Sequence, residues 1–260
     1  MHQEELADKL EYHEEAGNAQ IAKNIGGEFV ERGDVMLIYS HPEFEIGLNF
    51  ACRIRTDEAR IEQLIDDVCE WFHSRDVAPH FRVSPLTRPN NLAQILERRK
   101  FVCNERETQM VLEGKDTESP TNPRIAIETA KADDLEKCVT IQHHAFGGTG
   151  HPSPTMIKMT RASFESGMST PYVARIDGEL VGAGSLTNWA GVFGIYGVAT
   201  IETARGQGVA TAIVRKMIRD AQARDNAPIC LQAETNSSEQ RWYERMGFRV
   251  VYDRTGWKKV

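Results

Sequence analysis

The stretch that most limits the possible folds is Val198-Ala199-Thr200-Ile201-Glu202-Thr203-Ala204-Arg205-Gly206-Gln207-Gly208-Val209-Ala210. Gly194 to Ala199 is short and apolar with two glycines, the pattern of a buried central strand that another chain or a ligand approaches closely. Beyond the turn, Val209, Ala210, Ile213, Val214, Met217 and Ala221 recur at helical spacing, with Arg215, Lys216, Arg219 and Asp220 on other faces. Gly206 and Gly208 lie between, where the first amides of the helix have no partner inside it. Strand, turn and helix together make an anion cradle of N–H donors at a positive helix end, with Arg205 and Gln207 beside them. Glycines also open ordinary strand-to-helix turns, so taken alone this stretch leaves both readings open.

A chain of 260 residues can bury one large or two modest cores. Its 40% hydrophobic and 27% charged content describe a soluble globular protein. There is no apolar run of transmembrane length, and the acidic start is unlike a signal peptide. Five scattered cysteines (Cys52, Cys69, Cys103, Cys138, Cys230) without a Cys-x-x-Cys pair argue for buried thiols of a reducing cytoplasm, against a disulfide framework or a zinc site. The net charge of −7 is uneven: residues 1–120 carry 14 basic and 24 acidic side chains, residues 121–260 carry 17 and 14. Such a chain is a poor nucleic-acid binder, while its second half suits a small polyanion.

In chain order, residues 3–23 read as a surface helix, with Gly17-Asn18 a point of interruption, and 35–39 as a strand. A strand or strand pair follows over 44–53, then a helix over 58–74 with Ile61, Leu64, Ile65, Val68, Trp71 and Phe72 as its stripe. A strand near 81–83, a helix over 91–99 and a strand at 110–112 complete the first half. Glycine, proline and polar residues over 113–124 have linker composition, which places a boundary at 116–123 between domains 1–115 and 124–260. The second half reads as a strand (124–128), a helix from 133, a loop (147–154), a helix (155–166) and a hairpin about Asp177-Gly178. The glycine-loop strand and helix come next, then a strand (229–233), a short helix (239–246) and closing strands at 248–252 and 256–260.

Two short matches hint at duplication. Arg75-Asp76-Val77-Ala78-Pro79 returns as Arg224-Asp225-Asn226-Ala227-Pro228, and Glu97-Arg98-Arg99-Lys100-Phe101 as Glu244-Arg245-Met246-Gly247-Phe248. Each follows a predicted helix at an equivalent place in its half.

These residues resemble a family. Arg205-x-x-Gly208-x-Ala210 is similar to the acyl-CoA signature of the GNAT acyltransferase superfamily. Asn236 followed by Tyr243-Glu244-Arg245-Met246-Gly247-Phe248 is similar to its second signature. The resemblance covers about residues 124–260, and the whole chain resembles tandem members of the superfamily. It implies an α/β (α+β) fold of two GNAT-like domains, each a mixed, mostly antiparallel twisted sheet flanked by helices.

It also implies an acetyl-CoA-dependent N-acetyltransferase acting on the primary amine of a small molecule or peptide by direct attack, without a metal. On that reading the Arg205-Gly206-Gln207-Gly208-Val209-Ala210 loop holds the cofactor diphosphate, and Val198-Ala199-Thr200 carry its pantetheine arm. An N–H near Val198 polarises the thioester. Asn236 orients the cofactor arm or an ordered water, with a plain helix N-cap as its alternative. Tyr243 protonates the departing thiolate, against the alternative of a core aromatic beside Trp242. No general base emerges: Phe193 to Gly197 holds no carboxylate, and water, Tyr196 or a histidine from His143-His144 or His151 stay as candidates. The helical segment 133–166 with its loop is expected to line the acceptor site.

The first half departs from the pattern. Thr56-Asp57-Glu58-Ala59-Arg60-Ile61 stands where the repeat would put the glycine loop, and two carboxylates there repel a diphosphate. That half is expected not to bind CoA. It either walls the acceptor site or serves as scaffold. A non-catalytic acyl-CoA sensor is the second reading of the whole chain, a monomer or homodimer in the cytoplasm, with no nucleic-acid or membrane partner.

Overall fold

The computed structural model describes residues 3–41, 47–114 and 122–259. The chain folds as two compact units: residues 1–110, 232–244 and 249–260 make unit one, and 111–231 with 245–248 make unit two. The sequence-based boundary lay at 116–123, of which 116–121 fall outside the described residues.

Unit one contains α1 (Gln3–Asn24), β1 (Glu28–Glu31), β2 (Met36–Tyr39), β3 (Phe50–Cys52), α2 (Ile61–His73), β4 (His80–Val83), α3 (Leu92–Arg98) and most of β5 (Phe101–Leu112). From the chain's end it takes the 232–234 tip of β10 (Ile229–Glu234), most of α7 (Ser238–Arg245) and nearly all of β11 (Phe248–Lys259). Its strands run in the order β1-β2-β3-β4-β11-β5 and then the tip of β10. β11 joins β4 antiparallel, with Thr255 opposite Val83 and Lys258 opposite His80. The predicted stripe of α2 is the core: Ile61, Leu64, Ile65, Val68 and Phe72 pack with Leu37, Phe81, Leu96 and Phe101.

Helix α1 differs from the expected surface helix. It runs unbroken through Gly17 and Asn18, and it buries Glu11, Glu14 and Glu15 along with Leu6, Leu10, Ala19 and Ala22. Arg53 and Arg55 reach Glu11, Arg82 reaches Glu15 at 3.1 Å, and Arg254 bridges Glu14 at 2.8 Å and Glu15 at 3.0 Å. Carboxylates enter a core only when cations meet them there. Burial still pushes the Glu15 carboxyl up, against the pull of Arg82 and Arg254. The same pairs explain why the two closing strands expected at 248–252 and 256–260 are a single strand. Arg254 keeps the strand's alternation by pointing inward as a paired charge. β1 was not foreseen, β5 begins nine residues earlier than expected, and the part of the 44–53 strand at 44–46 lies outside the described residues.

Unit two contains β6 (Ile125–Thr129), α4 (Leu135–Ala145), α5 (Pro154–Glu165), β7 (Ser169–Ile176), β8 (Glu179–Trp189), β9 (Val192–Thr200), α6 (Val209–Arg224) and the start of β10. Its strand order is β10-β9-β8-β7-β6. β9 and β10 are parallel and the other pairs antiparallel. The Asp177-Gly178 hairpin forms as expected, with φ of 52° and 87° supplying the primed turn.

Alternation along β8 sorts the helices. Ala183 packs on one face with Leu135, Cys138 and Val173, and Phe164 of α5 joins them. Gly182 and Gly184 face α6, where a Cβ would come within 2.6 Å of Val209 and 3.0 Å of Ile213. Missing side chains on β8 therefore let α6 lie close to the sheet, which fixes where α6 begins. Tyr172 on β7 anchors its far end, its hydroxyl donating to Asp220 at 2.8 Å. Each unit is thus a mixed, mostly antiparallel sheet with flanking helices, the expected class.

Candidate active site

The site is built on β9 and the start of α6, both in unit two. Against β8, Tyr196 pairs with Ser185 and Ala199 with Ala183, so Gly197 and Val198 together oppose the single residue Gly184. This is a β-bulge, and Gly197 takes the positive φ of 60° that its first position requires. On the other edge, the register with β10 consists of Ile229–Phe193 and Cys230–Gly194. Among the described residues the register with β10 holds only these two pairs, so Val198-Ala199-Thr200 of β9 lie beyond that pairing.

After Thr200 the chain makes one 3-10 turn at Glu202–Ala204 and reaches Arg205 in an extended conformation. Gly206 has φ 75°, and Gly208 is the left-handed N-cap of α6 at φ 87°. A glycine cap carries no side chain to bond the first-turn amides, which stay available to an outside acceptor. Among the described residues, a Cβ on Gly206 or Gly208 would meet no atom within 4 Å, so crowding there does not demand either glycine. Backbone conformation demands them, and they leave open space over the helix start. Arg205, Gly206, Gln207 and Gly208 are exposed while Val209 is buried, which pins the loop from below. The Gln207 amide folds back onto the Thr203 carbonyl at 3.2 Å and helps to shape the loop. The structure therefore brings Val198, Ala199, Thr200 and Arg205–Ala210 together on one strand, turn and helix. One detail of α6 differs: Arg215, expected off the apolar face, is buried.

Asn236 and Tyr243 belong to the 232–244 segment of unit one. Asn236 does not cap α7. Ser237 does, its Oγ accepting from the Gln240 N–H at 3.0 Å. Asn236 precedes the cap in the left-handed region at φ 64°, and its own N–H donates to the Gln240 side chain at 2.6 Å. Asparagine is among the few residues that accept this backbone shape. Tyr243 is half-buried with its ring 4.5 Å from that of Trp242. Burial, and then the charge of Glu239 one turn back, push its phenol up to about 12.

Helix α4 and its loop stand on the opposite face of the unit-two sheet from α6. His143 and His144 have structural work: their Nε2 atoms bond the carbonyls of Thr149 at 3.1 Å and Gly150 at 2.8 Å, tying the loop to the helix that precedes it. Ser153 then caps α5, its Oγ accepting from Met156, with Pro154 in the first turn. Phe146 stands at the start of this loop and is 69% exposed. Sequence reading missed one residue of this region, Gln142. It continues the Leu135, Cys138, Val139 spacing of the buried stripe, and a polar residue at such a position is the signal that would have found it.

In unit one, the segment aligned with the glycine loop has a different chemistry. The Asp57 Oδ1 accepts from the Arg60 N–H at 2.9 Å, so the protein's own carboxylate closes the turn that leads into α2. Thr56, Asp57 and Glu58 border an open cavity of about 500 Å³, completed by Arg88, Pro89, Asn90 and Asn91. Among the described residues there is no cluster of metal-binding side chains, and no helix is long and apolar enough to cross a membrane.

Comparison with known proteins agrees with this geometry. The model of the Acetyltransferase (GNAT) family matches residues 135–248. A search of curated proteins found no match. Among solved structures, a GCN5-related N-acetyltransferase from Kribbella flavida superposes with a TM-score of 0.69 at 17% identity, covering 95% of each chain. One from Sphaerobacter thermophilus gives 0.65 at 18% identity over 90% of this chain and 75% of that one. An acetyltransferase of the GNAT family from Colwellia psychrerythraea gives 0.57 at 12% identity, over 90% and 84%. At such identities the likeness is one of fold, and it extends over the first half as well as the second. Residues 135–248 of this chain match the Acetyltransferase (GNAT) family model, within a fold that resembles GNAT proteins over nearly its whole length.

Proposed function

We propose that the protein is an acetyl-CoA-dependent N-acetyltransferase that acts on a primary amine of a small molecule or peptide. The observation that carries this reading is the start of α6. It is a glycine-capped helix end, exposed, with open space where two Cβ atoms would stand and Arg205 at its edge. Backbone N–H groups of residues 206–210 would hold the diphosphate, and the helix dipole would favour its charge. The edge of β9 at Val198-Ala199-Thr200 would pair with the amide-bearing arm as an added strand pairs with a sheet. Acetyl-CoA supplies the acyl group and a thiolate as leaving group.

Tyr243, held protonated by its surroundings, would keep a proton for that sulfur at every working pH. The Val198 N–H would polarise the acyl carbonyl. Asn236 would orient the cofactor arm or a water. The exposed Phe146 and its histidine-tied loop would meet the acceptor. Unit one would carry a duplicated, degenerate copy, because α2-β4-α3-β5 repeats the order α6-β10-α7-β11 while Asp57 fills its anion position. Five cysteines outside any disulfide, four of them buried, suit a reducing cytoplasm.

A second reading, a non-catalytic acyl-CoA sensor, is favoured by the engagement of His143 and His144 in the loop and by the lack of a carboxylate over 193–197.

Thermal unfolding with acetyl-CoA at about a hundred times its Kd should raise Tm by roughly 5–10 °C. No shift at millimolar concentration would contradict donor binding. Thiol release across a panel of amines then separates enzyme from sensor.

A further inference from the structure

Gln142 is half-buried in line with the apolar stripe of α4, and its Nε2 donates to the Gly197 carbonyl at 2.9 Å. That carbonyl belongs to the bulge of β9. A Cβ on Gly197 would fall 2.4 Å from the same nitrogen, so the bare backbone serves both its positive φ and the approach of the amide. Gly197 C=O and Val198 N–H lie in one peptide plane, and in a trans peptide they point in opposite directions. Fixing the carbonyl toward α4 therefore fixes the Val198 N–H away from it. In a bulge this matters more than in regular sheet, because no complete ladder holds the extra residue in place. Gln142 also adjoins the loop after α4: its own carbonyl accepts from the Phe146 N–H at 3.0 Å, at the root of Gly147–Gly150.

We infer that Gln142 is a positioning residue that aims the Val198 amide at the acyl carbonyl of the donor and couples that aim to the acceptor loop. The inference rests on the acetyltransferase reading given above. Gln142 itself touches no reacting atom. It acts through the peptide between Gly197 and Val198.

Its distinguishing mark is that Gln142 should matter for the acyl group and not for the nucleotide end of the donor. Two variants isolate the donated hydrogen bond. Gln142→Met keeps length and burial without a donor, and Gln142→Glu keeps shape but offers a carboxylate that repels the Gly197 carbonyl. Affinities for CoA and acetyl-CoA are measured by calorimetry, and kcat and KM with whichever amine the wild type accepts. The expected result is CoA affinity within about twofold of wild type and a preference for acetyl-CoA over CoA reduced about fivefold or more. In addition kcat should be about tenfold lower, the size expected for one misaimed hydrogen bond. Equal weakening of CoA and acetyl-CoA, or no change in either, would overturn the inference.

Should both variants fail to fold, the wild type still decides. Acetyl-CoA should slow exchange of the Val198 amide proton more than CoA does, and equal exchange would refute the role. A wild type that binds neither molecule refutes the acetyltransferase reading itself, an outcome distinct from a wild type that binds both and variants that behave alike.

Discussion

Helices α2 and α6 begin in opposite ways, and the contrast shows what makes a helix start into a binding site. Both follow a strand, and both leave first-turn amides without intrahelical partners. At α2 the chain supplies its own anion: Asp57 accepts from the Arg60 N–H, Glu58 stands beside it, and side chains at every position keep other backbones away. At α6 the chain supplies none. Gly208 caps the helix without a side chain, Gly206 and Gly208 hold left-handed conformations, and among the described residues no atom lies within 4 Å of where their Cβ atoms would stand. A filled helix start contributes stability, whereas an open one leaves its donors for a ligand.

The largest effect should come from filling the open start. Gly208→Asp forces a left-handed aspartate and adds a carboxylate where the diphosphate would sit. We expect acetyl-CoA affinity to fall about a hundredfold or more by calorimetry, with the fold retained. Affinity within threefold of wild type would remove the loop from the donor site.

Next in size, Tyr243→Phe should lower kcat about tenfold to a hundredfold and leave acetyl-CoA affinity within about twofold. The pH dependence carries a sign. A phenol raised to about 12 stays protonated through the alkaline range, so wild-type kcat should show no fall from its ionisation between pH 7 and 10. A fall near pH 9 that vanishes in the phenylalanine variant would contradict that assignment of the proton.

The smallest effect is the converse experiment. Asp57→Ala removes the hydrogen bond that closes the turn leading into α2 and should cost about 1 kcal/mol of stability by denaturant unfolding, with acetyl-CoA affinity unchanged. A gain of CoA binding in this variant would mean that the two starts differ by one carboxylate alone.

Much of this was legible in the sequence where local chemistry decides the outcome. The stripe of α2, the Asp177-Gly178 hairpin and the glycine-opened α6 follow from periodicity and from backbone shapes that only certain residues accept. What escaped depends on residues far apart in the chain. Residues 3–23 read as a surface helix because Arg53, Arg55, Arg82 and Arg254, which make burial of Glu11, Glu14 and Glu15 tolerable, lie elsewhere in the chain. For the same reason β11 read as two strands, at 248–252 and 256–260, with Arg254 in the gap between them. In the candidate site, the cradle could be read from glycines alone. The role of Gln142 could not, because its partner is a backbone carbonyl 55 residues away. Asn236 was read with N-cap as its alternative, while the cap falls one residue later at Ser237, a distinction that pattern alone does not resolve.

Amide hydrogen exchange with and without CoA tests the contrast most directly, because it reports both helix starts in one experiment. Saturating CoA should slow exchange over residues 206–211 and along 195–200 of β9, and leave residues 57–62 unchanged. Protection at 57–62, or none at 206–211 under saturation, would contradict the claim that the open start of α6 is the donor site.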